Sequence, residues 1–108
     1  MRTSVIARYT SRARLIKALA HPTRLFVVDE LSRHGARCVC ELTEMIGDDI
    51  STVSRHLAVL KNAGVVSDDK RGQQVFYRLR ALCLPDFLRC VDAILNEAAE
   101  RDRSGGRP

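Results

Sequence analysis

Cys38-Val39-Cys40 places two thiols one residue apart. Thiolates are soft donors, so such a pair selects arsenite, antimonite, cadmium, lead or Cu(I) over hard ions. In extended chain or at a helix edge, residues two apart can turn their sulfurs to one side. A helix beginning at this point would set positive potential beside them, and Arg37 adds a cation; both favour thiolate, while Glu41 and Glu44 oppose it. The spacing is tighter than the CxxC knuckle of structural zinc, and no His stands close. The bland alternative is two small buried residues, as free cysteine often is. Two more thiols, Cys83 and Cys90, are each either a packing residue or a further sulfur ligand. Cys90 lies three after Phe87 and four before Ile94, near an apolar stripe, whereas Cys83 falls in a loop before Pro85.

A second chemistry follows directly in the chain. The segment Ser51-Thr52-Val53-Ser54-Arg55-His56 opens a helix after a short helix and the tight turn Gly47-Asp48-Asp49, which is the layout of a helix-turn-helix. Such a second helix presents hydrogen-bonding side chains from its first turns to the major groove. Ser51, Thr52, Ser54, Arg55 and His56 supply them, while Val53, Leu57 and Leu60 anchor the other face. Arg55 suits a bidentate guanine contact or a phosphate. Farther on, Lys70 and Arg71 beside Gly72 form a basic hairpin tip, a wing able to reach phosphate or the minor groove. Asp68 and Asp69 would repel phosphate and should face away or sit at the wing base. Lys61, farther along the helix, is suited at most to backbone contact.

The elements that must position these groups are read from period and punctuation. Residues 4 to 20 form a first helix with Val5, Ile6, Tyr9, Ile16 and Leu19 as a broken apolar stripe. His21-Pro22 interrupts it, and proline in a first turn starts a second helix with Leu25, Val28 and Leu31. Residues 40 to 46 form a third, with Leu42, Met45 and Ile46 inward. The fourth is capped by Ser51 or Asp49 and ended by Gly64 in a left-handed conformation. Val65 to Ser67 and Gln74 to Leu79 are strands, with a tip over residues 69 to 73. Pro85 opens a last helix bearing Phe87, Leu88, Val91, Ile94, Leu95 and Ala98. The expectation is a mostly α fold with one small β-hairpin: five helices and a two-stranded wing in one domain over residues 1 to 102, then a disordered tail over 103 to 108.

Composition agrees with a basic reader. The 108 residues carry 18 Lys and Arg against 13 Asp and Glu, net +5, and the charge is segregated. Residues 2 to 37 hold +6, residues 41 to 49 hold −4 and residues 50 to 80 hold +4. A phosphate backbone suits one face of such a surface, although uneven solvated charge also produces it. No apolar run approaches the ~20 residues of a membrane span. Four cysteines with no export signal point to a reducing cytoplasm. There is no acid/base or nucleophile grouping and no glycine-rich phosphate loop, which argues against an enzyme and against an organic cofactor. A helical adaptor that binds protein alone is the remaining class.

HPTRLFVVDEL, CVCELTEMIG, STVSRHLAVLKNAGVV and GQQVFYRL together resemble the ArsR/SmtB repressors, over roughly residues 12 to 98. The resemblance implies a homodimeric winged helix-turn-helix joined through its first and last helices. It also implies a partner, double-stranded operator DNA, that is released when an inducer binds. Arsenite sensors of the CVCDLC pattern add a third cysteine three residues after the pair; here that residue is Thr43. Three options stay open: a two-sulfur site completed by solvent or a small thiol, a third sulfur from Cys83 or Cys90, or a different ion. Cadmium and lead sensors with this pair draw cysteines from an N-terminal extension, and none precedes Cys38. The last-helix zinc site of some relatives needs His ligands, which this helix lacks. The leading expectation is release by arsenite or antimonite at Cys38 and Cys40; a soft divalent metal, or thiol oxidation or persulfidation, are the alternatives.

Overall fold

The computed structural model describes the backbone of residues 1–105 and the side chains of 1–103. Eight elements follow one another: α1 Thr3–Leu19, α2 Pro22–His34, β1 Arg37–Cys38, α3 Val39–Ile46, α4 Ile50–Asn62, β2 Val66–Arg71, β3 Gln74–Leu79 and α5 Leu84–Gly105. Local chemistry sets most boundaries. His21 caps α2, its Nδ1 accepting from the Thr23 N–H at 3.1 Å, and Pro22 fills the first helical position. Asp49, rather than Ser51, caps α4 by accepting the Thr52 N–H at 2.8 Å. Gly47 closes α3 at φ +86, and Gly64 follows α4 at φ +82, left-handed positions that a side chain resists.

The core lies where α2, α3, α4 and the sheet meet. Val27, Val28, Leu42, Val53, Leu57, Leu60 and Val65 are fully buried, with Leu31 and Val66 nearly so. The i, i+4, i+7 triad of α4 therefore packs as its spacing requires. In α3 only Leu42 is buried. Met45, expected inward, is 44% exposed, because Val39, Leu42 and Ile46 form the face of α3 that packs on the core.

Three expectations are corrected. The sheet has three strands in the order β1-β3-β2, all antiparallel, where a two-stranded wing was expected. The added strand pairs Arg37 with Tyr77 and Cys38 with Phe76, so the first thiol of the pair is built into the wing sheet. The hairpin is also tighter than expected. β2 starts at Val66 and continues through Arg71, leaving Gly72-Gln73 as the turn, with Gly72 at φ +64 as two-residue hairpins demand. Lastly, α5 runs through Gly105, so Arg103 to Gly105 are helical rather than a disordered tail; residues 106–108 lie outside the described residues.

One surface is left uncovered. Ile6, Tyr9, Leu15 and Ile16 of α1 and Phe87, Ile94 and Leu95 of α5 are all exposed. Between these helices an apolar cavity of about 170 Å³ is lined by Leu19, Leu25, Leu88 and Val91 among others. No helix among the described residues is long and apolar enough to cross a membrane.

Candidate functional site

The two thiols of the pair have different environments. Cys38 is 4% exposed and is the N-cap of α3, its Sγ accepting the Glu41 N–H at 3.4 Å. Cys40, in the first turn of α3, is exposed. Glu41 returns the cap, its Oε1 accepting the Cys38 N–H at 3.0 Å, which completes a capping box with sulfur in place of the usual hydroxyl. This reverses one expectation. The helix N-terminus does favour thiolate at Cys38, but burial outweighs it and pushes the thiol up from its ordinary value, aided by the neighbouring Glu41 carboxylate. Arg37 does not serve the sulfur. Its guanidinium is held by Glu30 at 2.9 Å and Glu41 at 2.8 Å, and these bonds raise its own pKa. Glu41 is lowered to about 2, first by the Cys38 N–H and next by Arg37.

Cys83 and Cys90 are both exposed. Among the described residues no three His, Cys, Asp or Glu side chains gather as a metal centre would need. The structure thus brings neither of them to the pair in a single chain. Thr43, at the position of a third sulfur, has its hydroxyl oxygen buried with no hydrogen-bond partner. An orphaned buried hydroxyl is unfavourable by about 1–3 kcal/mol. Nothing in the packing explains why it is kept.

The reader residues divide into two groups. Ser51, Ser54 and Arg55 are exposed along the open face of α4. Thr52 is instead engaged from both sides: its hydroxyl donates to Asp49 Oδ2 at 3.2 Å and accepts from Arg55 Nη2 at 3.4 Å. It therefore aims Arg55. His56 is turned partly inward, with its ring centroid 4.2 Å from that of His21 and its Nδ1 accepting from Arg24 Nε at 3.1 Å. Arg24 Nη1 also donates to the Ala18 carbonyl at 3.1 Å, so one guanidinium ties the end of α1 to the reader helix. Burial first, then His21 and Arg24, depress the His56 pKa.

On the wing, Lys70 and Arg71 are exposed at the end of β2, the position expected of phosphate contacts. Arg71 sits 4.9 Å over the Phe76 ring and 3.1 Å from Asp69. Asp68 pairs with Lys61 at 3.0 Å and Asp69 with Arg71, so each carboxylate that would repel phosphate has a cation beside it. Sequence reasoning missed Arg24, Glu30 and the structural use of Arg37. Arg24 meets His56 from 32 residues away, and the Glu30–Arg37 pair, though only seven residues apart, joins α2 to β1 across a helix end, so the periodicity of no single element announces either.

Comparison with known proteins agrees with this geometry. The model of the bacterial regulatory protein arsR family matches residues 21–68, from the cap of α2 into β2. Over 89 residues the chain is 37% identical to the arsenic resistance transcriptional regulator ArsR1 of Pseudomonas putida, spanning 82% of this chain and 66% of that one. It is 37% identical over 102 residues to the arsenical resistance operon repressor of Escherichia coli, spanning 84% of this chain and 87% of the relative. Among solved structures, a homodimeric winged helix-turn-helix DNA-binding domain from Mycobacterium bovis superposes with a TM-score of 0.78 at 28% identity, over 94% of this chain and 93% of that one. These relatives are transcriptional regulators and not enzymes. With its winged helix-turn-helix and the family match centred on α2 to α4, the chain belongs to the ArsR family of bacterial regulatory proteins.

Proposed function

We propose that two copies of this chain repress an operator and leave it when a thiophilic inducer, arsenite or antimonite above all, takes the sulfurs of Cys38 and Cys40. The observation that carries this reading is the place of Cys38. One sulfur caps α3, α3 packs against the reader α4, and the backbone of the same residue is a strand of the wing sheet. A ligand on that sulfur competes with the Glu41 N–H for its lone pairs. The first turn of α3 must then loosen, and both DNA-contacting elements feel it.

The chemistry balances without an oxidant. Arsenous acid exchanges one hydroxyl for each thiol, forming an As–S bond and releasing a water that carries the thiol proton. Cys40, already exposed, meets the inducer first; Cys38 follows once it leaves the cap. With Thr43 supplying no sulfur, solvent or a small thiol completes the site. On the DNA side, Ser51, Ser54 and Arg55 face the major groove, Thr52 and His56 hold the reader in place, and Lys70 and Arg71 meet phosphate. The uncovered faces of α1 and α5 join the two copies, which spaces the readers for successive grooves of a palindrome.

Operator binding followed by anisotropy, with arsenite, antimonite, Cd, Pb and Zn added to the parent and to each Cys→Ser variant, tests the reading. Release by arsenite that disappears in both Cys38→Ser and Cys40→Ser is the expected result. Release by Cd or Pb alone would move the inducer to a soft divalent metal, and release by peroxide or polysulfide alone would make the pair a redox sensor. Coupling between sites is reciprocal, so operator DNA must weaken arsenite binding by the same factor by which arsenite weakens DNA binding. Equal arsenite affinity for free and operator-bound protein refutes the coupling.

A further inference from the structure

Glu30 is a buried carboxylate on α2, 9% exposed, that neither the DNA reading nor the thiol chemistry uses. Its Oε2 accepts from Arg37 Nε at 2.9 Å and lies 2.9 Å from Nη2 of the same guanidinium. The remaining nitrogen of that guanidinium donates to Glu41 Oε2 at 2.8 Å. The other Glu41 oxygen accepts the Cys38 N–H at 3.0 Å, and the Glu41 N–H reaches the Cys38 sulfur at 3.4 Å. A single chain of hydrogen bonds thus runs from α2 through β1 into the first turn of α3 and ends on the thiol. Its anchor is rigid, because Val27, Val28 and Leu31 on the same helix are buried in the core. Its middle is a planar fork bridging two carboxylates, a task for which arginine is suited and lysine is not.

We propose that Glu30 is a positioning residue which, through Arg37 and Glu41, holds the Cys38 thiol in its helix-capping place and so sets the inducer concentration at which repression is lifted. The second half of this rests on Cys38 being an inducer ligand, as argued above. Removing the Glu30 charge takes away the α2 anchor, so Arg37 and Glu41 hold only each other and the first turn of α3. The first turn of α3 then frays and Cys38 is uncovered. The inducer meets a sulfur that no longer has to be withdrawn from a cap. The ligand set stays the same, and only its availability changes.

Protein carrying Cys40→Ser, Cys83→Ser and Cys90→Ser retains Cys38 as its one thiol, so iodoacetamide reports that sulfur alone. Glu30→Gln and Arg37→Lys should each raise the alkylation rate by about tenfold, since local opening governs access to a buried group. Val65→Ala, a core truncation outside the chain of bonds, should leave the rate far slower at a comparable loss of thermal midpoint. A Glu30→Gln rate within about twofold of the parent, or one equalled by Val65→Ala, overturns the positioning role. If Glu30→Gln does not fold, Arg37→Lys decides alone, because it keeps a cation beside the buried carboxylate. In protein with all four cysteines, Glu30→Gln should lower the arsenite concentration for half-release of operator by roughly threefold or more. Faster alkylation with unchanged release overturns the threshold while the positioning of the thiol stands, and release that persists in Cys38→Ser separately overturns Cys38 as inducer ligand.

Discussion

Cys38 accepts the Glu41 N–H with its sulfur while sitting 4% exposed, so its substitution separates capping from ligation. Cys38→Ser keeps an N-cap acceptor of the preferred kind and should hold its urea midpoint while losing arsenite release. Cys38→Ala removes the acceptor and should cost about 1 kcal/mol in the same titration. Equal stability of the two variants would mean the sulfur does not cap. Thr43 invites the opposite change. Cys40 and residue 43 are neighbours one turn apart on α3, and the Thr43 hydroxyl has no partner to lose. Thr43→Cys should therefore tighten arsenite-driven release by about tenfold without loss of thermal midpoint, a third soft donor replacing a hard one. At this scale the sequence marked candidate side chains but not their surroundings. The place of the thiol pair before α3, of Ser51 to His56 at the start of α4 and of the basic hairpin tip was legible from type and spacing. That Cys38 is buried, Cys40 exposed, and Arg37 engaged by carboxylates was not, because burial and the Glu30 contact arise from tertiary packing.

Helices α1, α2, α4 and α5 were legible to within a few residues at most ends, since each carries an apolar period and a capping or proline signal. β1 was not, because two residues have no alternation to read and exist as a strand only by pairing with Phe76 and Tyr77. That pairing gives the wing a direct tie to the thiol site. Phe76 lies opposite Cys38 on one side and Asp69 on the other, and its ring carries the Arg71 guanidinium. Phe76→Ala should free Arg71 from its platform and weaken operator binding modestly, with the salt dependence reduced by about one phosphate contact. An unchanged slope of log affinity against log salt would remove Arg71 from the interface. The α1–α4 tie makes a prediction in pH. His56 accepts from Arg24 only when its Nδ1 is unprotonated. Burial first, then His21, Arg24 and Arg55, lower its pKa below 6.5, with Asp48 opposing. The unfolded chain therefore takes the proton first, so His56 contributes stability above pH 6.5 that is lost as pH falls through the depressed folded value. A urea midpoint that declines on acidification below this pH, and declines less in His56→Gln, is the expected result. A profile that is the same in both proteins would assign the acid loss elsewhere.

The whole chain is too extended to be a finished unit. Its radius of gyration is 17.0 Å, and its principal extents are 61 × 40 × 23 Å. A compact domain of this length has a radius near 13 Å. The excess comes with α1 and α5, several of whose apolar side chains are exposed: Ile16 is 53% exposed, Ile94 58% and Leu95 61%. Exposed aliphatic residues clustered on two helices beside an apolar cavity mark an association surface. The charge on that surface is uneven, since residues from 81 onward are close to neutral while α1 lies within the basic stretch of residues 2 to 37. A second copy would cover the face and double the number of readers, and two linked half-site contacts bind far more tightly than one. Leu95→Glu, which puts a carboxylate in the middle of this face, should convert a dimer to a monomer in sedimentation equilibrium. Its helix content should hold, because Leu95 is no part of the buried core of α2 to α4. Operator affinity should fall by about a hundredfold or more as the second half-site is lost, while alkylation of Cys40 continues at the parent rate. A variant that stays dimeric, or a monomer that binds operator like the parent, would place the dimer contact on some other face.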